Sequence, residues 1–111
     1  MYARQGRLED AEQADLEAVR TMKPAFQPLV NLGNLYRNKM GRLDAAIAAY
    51  RRAVADAEST RVLGSPVPYL VLGSALREKG EAAEARNYLE LAARYEPTRP
   101  EALREIGALP R

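Results

Sequence analysis

The sequence predicts an all-α protein, a solenoid of antiparallel helix pairs running for about two and a half repeats and ending in a C-terminal capping helix. Three observations predict it. Tyr69, Leu72, Gly73, Leu76, Gly80, Ala85, Leu89, Ala92 and Pro97 recur at nearly the spacing of Leu29, Leu32, Gly33, Tyr36, Gly41, Ala46, Tyr50 and Ala53, and a long fixed period marks a unit that stacks on its own copies. The composition is 47% hydrophobic, 29% charged and 6% aromatic, and no run alternates Val, Ile and Thr as strands do. The Gly and Pro residues, 7 of each, fall largely between the periodic stretches, where they end helices.

Residues 1–24 read as a half repeat. Tyr2, Gly6, Ala11 and Ala18 repeat the offsets of Leu76, Gly80, Ala85 and Ala92, which predicts the tail of one helix, a turn at Gly6 and a helix over 8–22. Glu9 and Asp10 would then sit at the positive start of that helix, and Pro24 would end it. Residues 25–57 form a repeat with helices over 26–39 and 43–57, Pro28 lying in a first turn where its missing N–H is harmless. Tyr36 to Gly41 is one residue longer than Leu76 to Gly80, and the extra residue is expected in the turn, where length is tolerated. Residues 58–66 read as a linker insertion on the surface. Residues 67–97 form the next repeat, with helices over 67–79 and 81–95, and residues 100–109 form the capping helix.

Gly33 and Gly73 fall inside predicted helices, where glycine costs about 1 kcal/mol relative to alanine. Close approach of the paired helix compensates. Ala46 and Ala85 are the expected small partners, with Tyr36, Leu76, Tyr50 and Leu89 filling the space beside them.

This spacing resembles the tetratricopeptide repeat, a helix–turn–helix unit of 34 residues. Asp15 departs from it, standing where the family carries an aromatic residue. The resemblance implies a protein–protein interaction scaffold in which the first helix of each pair lines a concave groove. The groove residues it implies are Val30, Asn34, Arg37, Asn38, Leu70, Ser74, Arg77 and Glu78, together with Arg4. Arg37 and Arg77 occupy matching places, and guanidinium groups there suit a peptide with an acidic side chain or a terminal carboxylate. Some members clamp a C-terminal carboxylate with Lys and Asn. Asn31 and Asn34 stand here without a neighbouring Lys, so that clamp is not implied.

The chain contains neither His nor Cys, which removes the usual general base, the thiolate nucleophile and the commonest zinc ligands. No enzyme and no cofactor is expected. Glu81 with Glu84, and Glu101 with Glu105, are close enough along a helix to work as acid pairs, but matching of helix dipoles explains them. Isolated Gly33, Gly41 and Gly73 make no phosphate loop. Lys and Arg number 17 against 15 acids, and the interspersed signs argue against a nucleic-acid partner. Arg51, Arg52 and Arg61 cluster, yet without Trp and with alanine-rich apolar faces they make no membrane-surface helix. No run is long enough to span a membrane, and residues 1–20 are too charged for a signal peptide, so a cytoplasmic location is the default expectation.

The half repeat leaves one further expectation. Ala11, Ala14, Leu16, Ala18 and Val19 would form an apolar face left uncovered. The alternative to a peptide-binding groove is therefore a self-assembling element, a homo-oligomer or a subunit of a larger complex, docking through this N-terminal helix.

Overall fold

The computed structural model describes residues 2–59 and 66–110. Among them the elements are α1 (Tyr2–Thr21), α2 (Phe26–Asn34) running directly into a π-helical turn (Leu35–Lys39), α3 (Leu43–Ser59), α4 (Val67–Lys79), α5 (Ala82–Ala93) and α6 (Arg99–Gly107). No strand is present among the described residues. Helix α2 packs on α3 and α4 on α5, while α1 lies against α2 and α6 against α5. The backbones of the first helices of successive pairs also approach one another, α2 to α4 and α4 to α6, whereas those of α3 and α5 stay farther apart and are bridged by long side chains. A stack that is close on one side and open on the other curves, so α2, α4 and α6 occupy its concave side.

The turn expected at Gly6 is not there. Helix α1 runs unbroken through that position, and a Cβ built on Gly6 would meet nothing within 4 Å. Continuation through Gly6 gives the carbonyls around it helical partners. Glu9 and Asp10 consequently lie well inside α1, away from its N-terminus. Tyr2 and Arg4 belong to this helix, and their side chains lie outside the described residues.

The extra residue between Tyr36 and Gly41 is also taken up differently. In α4 the end is a left-handed cap: Gly80 has φ 95°, its N–H donates to the Arg77 carbonyl at 3.0 Å, and the Glu81 N–H donates to the Leu76 carbonyl at 2.9 Å. The matching bond in the preceding pair runs from the Arg42 N–H to the Tyr36 carbonyl at 2.8 Å, one residue longer, and the Met40 N–H reaches back to the Leu35 carbonyl at 3.1 Å. The helix thus widens by one residue before Gly41, at φ 65°, stops it. A π turn keeps these amides paired, which an added loop residue would not.

Helix α3 continues to Ser59, two residues past its expected end. Residues 60–65, and Arg61 with them, lie outside the described residues.

The paired helices interlock through glycine. A Cβ at Gly73 would fall 2.7 Å from Leu89 Cγ and 3.2 Å from the Leu89 backbone nitrogen, and a Cβ at Gly33 would run into the Tyr50 ring. The large residues Tyr50 and Leu89, rather than the expected Ala46 and Ala85, therefore press on these glycines. The two alanines are completely buried in the same core, where any larger side chain would push the helices apart.

Two apolar clusters result. One joins Ala46, Tyr50 and Val54 of α3 to Leu72 and Leu76 of α4, Leu89 of α5 and Leu109 beyond α6; the other joins Ala25, Leu29, Val30 and Ala53, with Val19, Val67 and Val71 against it. Polar fasteners hold the edges. The Ala25 N–H at the start of α2 donates to Asp56 Oδ2 of α3 at 2.7 Å, and the buried Thr98 hydroxyl donates to the Ala92 carbonyl at 2.6 Å, closing the end of α5. Tyr69 lies stacked by Tyr88 with ring centroids 6.5 Å apart, and its hydroxyl donates to Glu58 at 2.8 Å.

Two predictions follow from this packing. Gly73→Ala gains about 1 kcal/mol of helix propensity but must displace Leu89, so a net destabilisation of about 1–2 kcal/mol is expected, whereas Gly6→Ala in open space is stabilising; chemical denaturation of the two variants measures both. Burial, and next the hydrogen bond to Glu58, push the Tyr69 phenol from 10.0 up to about 12. The folded chain thus holds this proton more tightly than the unfolded chain, so its stabilisation is complete below pH 10 and is lost as the pH rises to about 12. Melting temperatures should fall less steeply across that window in Tyr69→Phe than in the parent.

Candidate functional site

Where α2 and α4 approach one another, side chains of both meet in a polar cluster. Arg37 comes from the π turn, whose widened register still carries it toward α4. Its Nε donates to Glu78 Oε1 at 3.0 Å, and a terminal nitrogen donates to Ser74 Oγ at 2.9 Å. One guanidinium thereby ties α2 to two residues a helical turn apart on α4. Asn34 lies next to this group and accepts a hydrogen bond from the Tyr50 hydroxyl at 2.5 Å. The Tyr50 phenol is raised by burial, against which the neighbouring Arg37 acts in the opposite direction. The structure so brings Asn34, Arg37, Ser74 and Glu78 into one polar cluster.

Arg77 does not join it. Although it matches Arg37 in the repeat, its Nε donates to Glu105 Oε1 of α6 at 2.6 Å. Glu105 is therefore held by a cation across the helix gap and is not a helix-start acid. Glu84 and Glu101 do lie in the first turns of α5 and α6, and Glu84 also pairs with Arg51 of α3, at 2.5 and 3.0 Å.

Two residues expected in the groove are committed elsewhere. Val30 is 3% exposed and belongs to the core with Leu29 and Ala53, a cluster against which Val19 of α1 and Val67 and Val71 of α4 all pack. Leu70 is half-buried against the main core. Asn38 is exposed. Gln27, which the repeat pattern did not mark, donates from Nε2 to Oδ1 of Asn31, weighed above only for a carboxylate clamp, at 3.1 Å, both exposed. The signal for them is spacing, since Gln27, Asn31, Asn34 and Asn38 follow at intervals of four, three and four residues, which places them along one stripe of the helix.

The N-terminal face is partly covered. Val19 packs on the cluster of Ala25, Leu29, Val30 and Ala53, because α1 settles on α2. Ala11 and Ala18 are half-buried, whereas Ala14 and Leu16 are exposed, Leu16 at 38%. Asp15 is half-buried and raised by that burial. The Tyr36 hydroxyl donates to Glu12 Oε2 at 2.7 Å, and burial followed by this bond raises the phenol.

Among the described residues, no group of acids is placed to hold a metal ion, and no helix is long and apolar enough to cross a membrane. Two family models, both described as tetratricopeptide repeat, match residues 29–62 and 68–99, together more than half of the chain. No curated protein matches it. The Arg37 side chain is 20% exposed and Glu78 51%, a half-shielded pair expected to contribute about 0.5–1 kcal/mol. A double-mutant cycle of Arg37→Ala and Glu78→Ala, followed by denaturation, should return a coupling in that range that shrinks with added salt.

Proposed function

From the premise that the chain belongs to the tetratricopeptide repeat family, whose members mediate protein–protein interaction, we propose that it holds an extended peptide segment of a partner protein along the concave face of α2 and α4. The observation that carries this reading is the amide stripe of Gln27, Asn31, Asn34 and Asn38 beside a guanidinium that Ser74 and Glu78 already hold. Side-chain amides offer a donor and an acceptor each, the pattern that a peptide backbone presents. A guanidinium fixed in advance loses little freedom when a ligand arrives and keeps further N–H groups to donate.

The carboxylate preference of the partner is modest on this reading. An acidic side chain competes with Glu78 for Arg37 and with Glu105 for Arg77, so polar backbone recognition provides most of the affinity and the acidic group adds selectivity. Peptides selected from a random displayed library against the chain test this directly. Their binding should weaken by about tenfold in Asn38→Ala combined with Arg37→Gln, and Glu78→Gln should tighten the acidic ones by freeing the cation. Equal binding by the parent and the doubly substituted chain would place recognition on another surface and end this reading.

A further inference from the structure

A cavity of about 650 Å³ opens between the end of α1, the turn into α2 and the C-terminal half of α3. That volume suits a short run of peptide rather than a single ion. The floor is apolar: Leu29, 2% exposed, and half-buried Val19 line it, and both belong to the cluster around Ala25 and Ala53. Met22 lines it too and is 49% exposed, an unbranched, polarisable side chain that adapts to whatever apolar group it meets.

The polar residues of the cavity divide in two. Asp56 and Ser59 are committed to backbone groups: the Asp56 carboxylate accepts the Ala25 N–H at 2.7 Å, and the Ser59 hydroxyl donates to the Asp56 carbonyl at 2.8 Å. Lys23 and Arg52 line the same cavity and have no hydrogen bond or ion pair among the described residues. The reason lies on α3. Arg52 precedes Asp56 by four residues, the spacing at which a base and an acid pair along a helix, but Asp56 is drawn instead to the amide at the start of α2. The acid that would neutralise Arg52 is thus engaged by the backbone, and two cations stand beside an apolar floor.

We propose that this cavity is a binding site of its own, for a segment of a partner protein that carries a large apolar side chain next to an acidic one. The apolar side chain lies against Val19, Met22 and Leu29, and the carboxylate takes charge-assisted hydrogen bonds from Arg52 and Lys23. Charge complementarity selects this occupant. A purely apolar segment would strip water from two cations without pairing them, and a basic one would be repelled. A nucleic-acid phosphate would find the cations and leave the apolar floor wet.

The site is separate from the amide stripe. Leu29 stands two residues from both Gln27 and Asn31, and positions two apart on a helix face opposite ways. The cavity therefore lies across α2 from those amides, and it stands or falls independently of the reading of the α2–α4 face.

Chemical-shift mapping of the isotope-labelled full chain with blocked tetrapeptides is the test. Acetyl-Ala-Leu-Glu-Ala-amide should shift the amides of Met22, Ala25, Ala55 and Asp56 saturably. Replacing its glutamate by glutamine, or its leucine by glycine, should each weaken binding by about tenfold. Lys23→Gln with Arg52→Gln, both at exposed positions, should bring the glutamate peptide down to the affinity of the glutamine peptide while leaving the latter unchanged. Ala55→Trp, at an exposed position that lines the cavity, should fill it and abolish the shifts. Equal shifts with acetate mark an adventitious ion only and overturn the proposal. Tighter binding of acetyl-Ala-Leu with a free carboxyl end, which belongs to a chain terminus, or of a short oligothymidylate overturns it too. So does an absence of shifts around the cavity, or binding of the glutamate peptide that ignores the paired substitution.

Discussion

The architecture depends on the close approach of two helices at a glycine. Gly33 and Gly73 let the Tyr50 ring and the Leu89 side chain lie where a methyl group would otherwise stand, and the alanines beside them keep the helix backbones near. Once that distance is set, each pair presents a fixed thickness to its neighbours. The contacts of α2 with α4 and of α4 with α6 follow from it, as does the polar cluster on the concave side. Glycine in a helix is a local cost of about 1 kcal/mol, and dispersion contacts across the tight interface offset it.

Polar groups act differently on the two sides of this core. Around the termini of helices they complete the backbone hydrogen bonding, as Asp56 does for Ala25 and Thr98 for Ala92. On the concave side they reach between helices of successive units, and there arginine is used in both cases, Arg37 toward Glu78 and Arg77 toward Glu105. A planar guanidinium spans such gaps with directed bonds that a lysine would not reproduce. The same groups therefore brace the scaffold and present its candidate binding face.

Much of this is legible in the sequence, and the part that is not has physical causes. The core was readable because Leu72, Leu76, Ala85 and Leu89 repeat residues of the preceding unit, and burial follows from a face that recurs. Val30 escaped that logic: it lies between the anchors, and residues of neighbouring units, Val19 before it and Val67 and Val71 after it, pack on its cluster. The extra residue before Gly41 could enter a loop or a helix with equal sequence support, and the backbone's demand for partners decides for the π turn. The turn expected at Gly6 rested on an offset alone, and an offset does not say whether a glycine ends a helix, as Gly80 does at φ 95°, or lies inside one, as Gly6 does. The ends of long side chains are the least readable feature. Arg37 and Arg77 occupy equivalent positions yet find acids at different ones, Glu78 on α4 and Glu105 on α6.

The ion pairs also keep to one part of the stack. Apolar contacts fill its middle, while charged struts lie along its rims, Arg37 to Glu78 and Arg77 to Glu105 on the inner side and Arg51 to Glu84 between α3 and α5. These struts are the interactions that dissolved ions weaken, so salt acts on the rims of the stack and leaves the glycine-spaced core that sets its thickness unaltered.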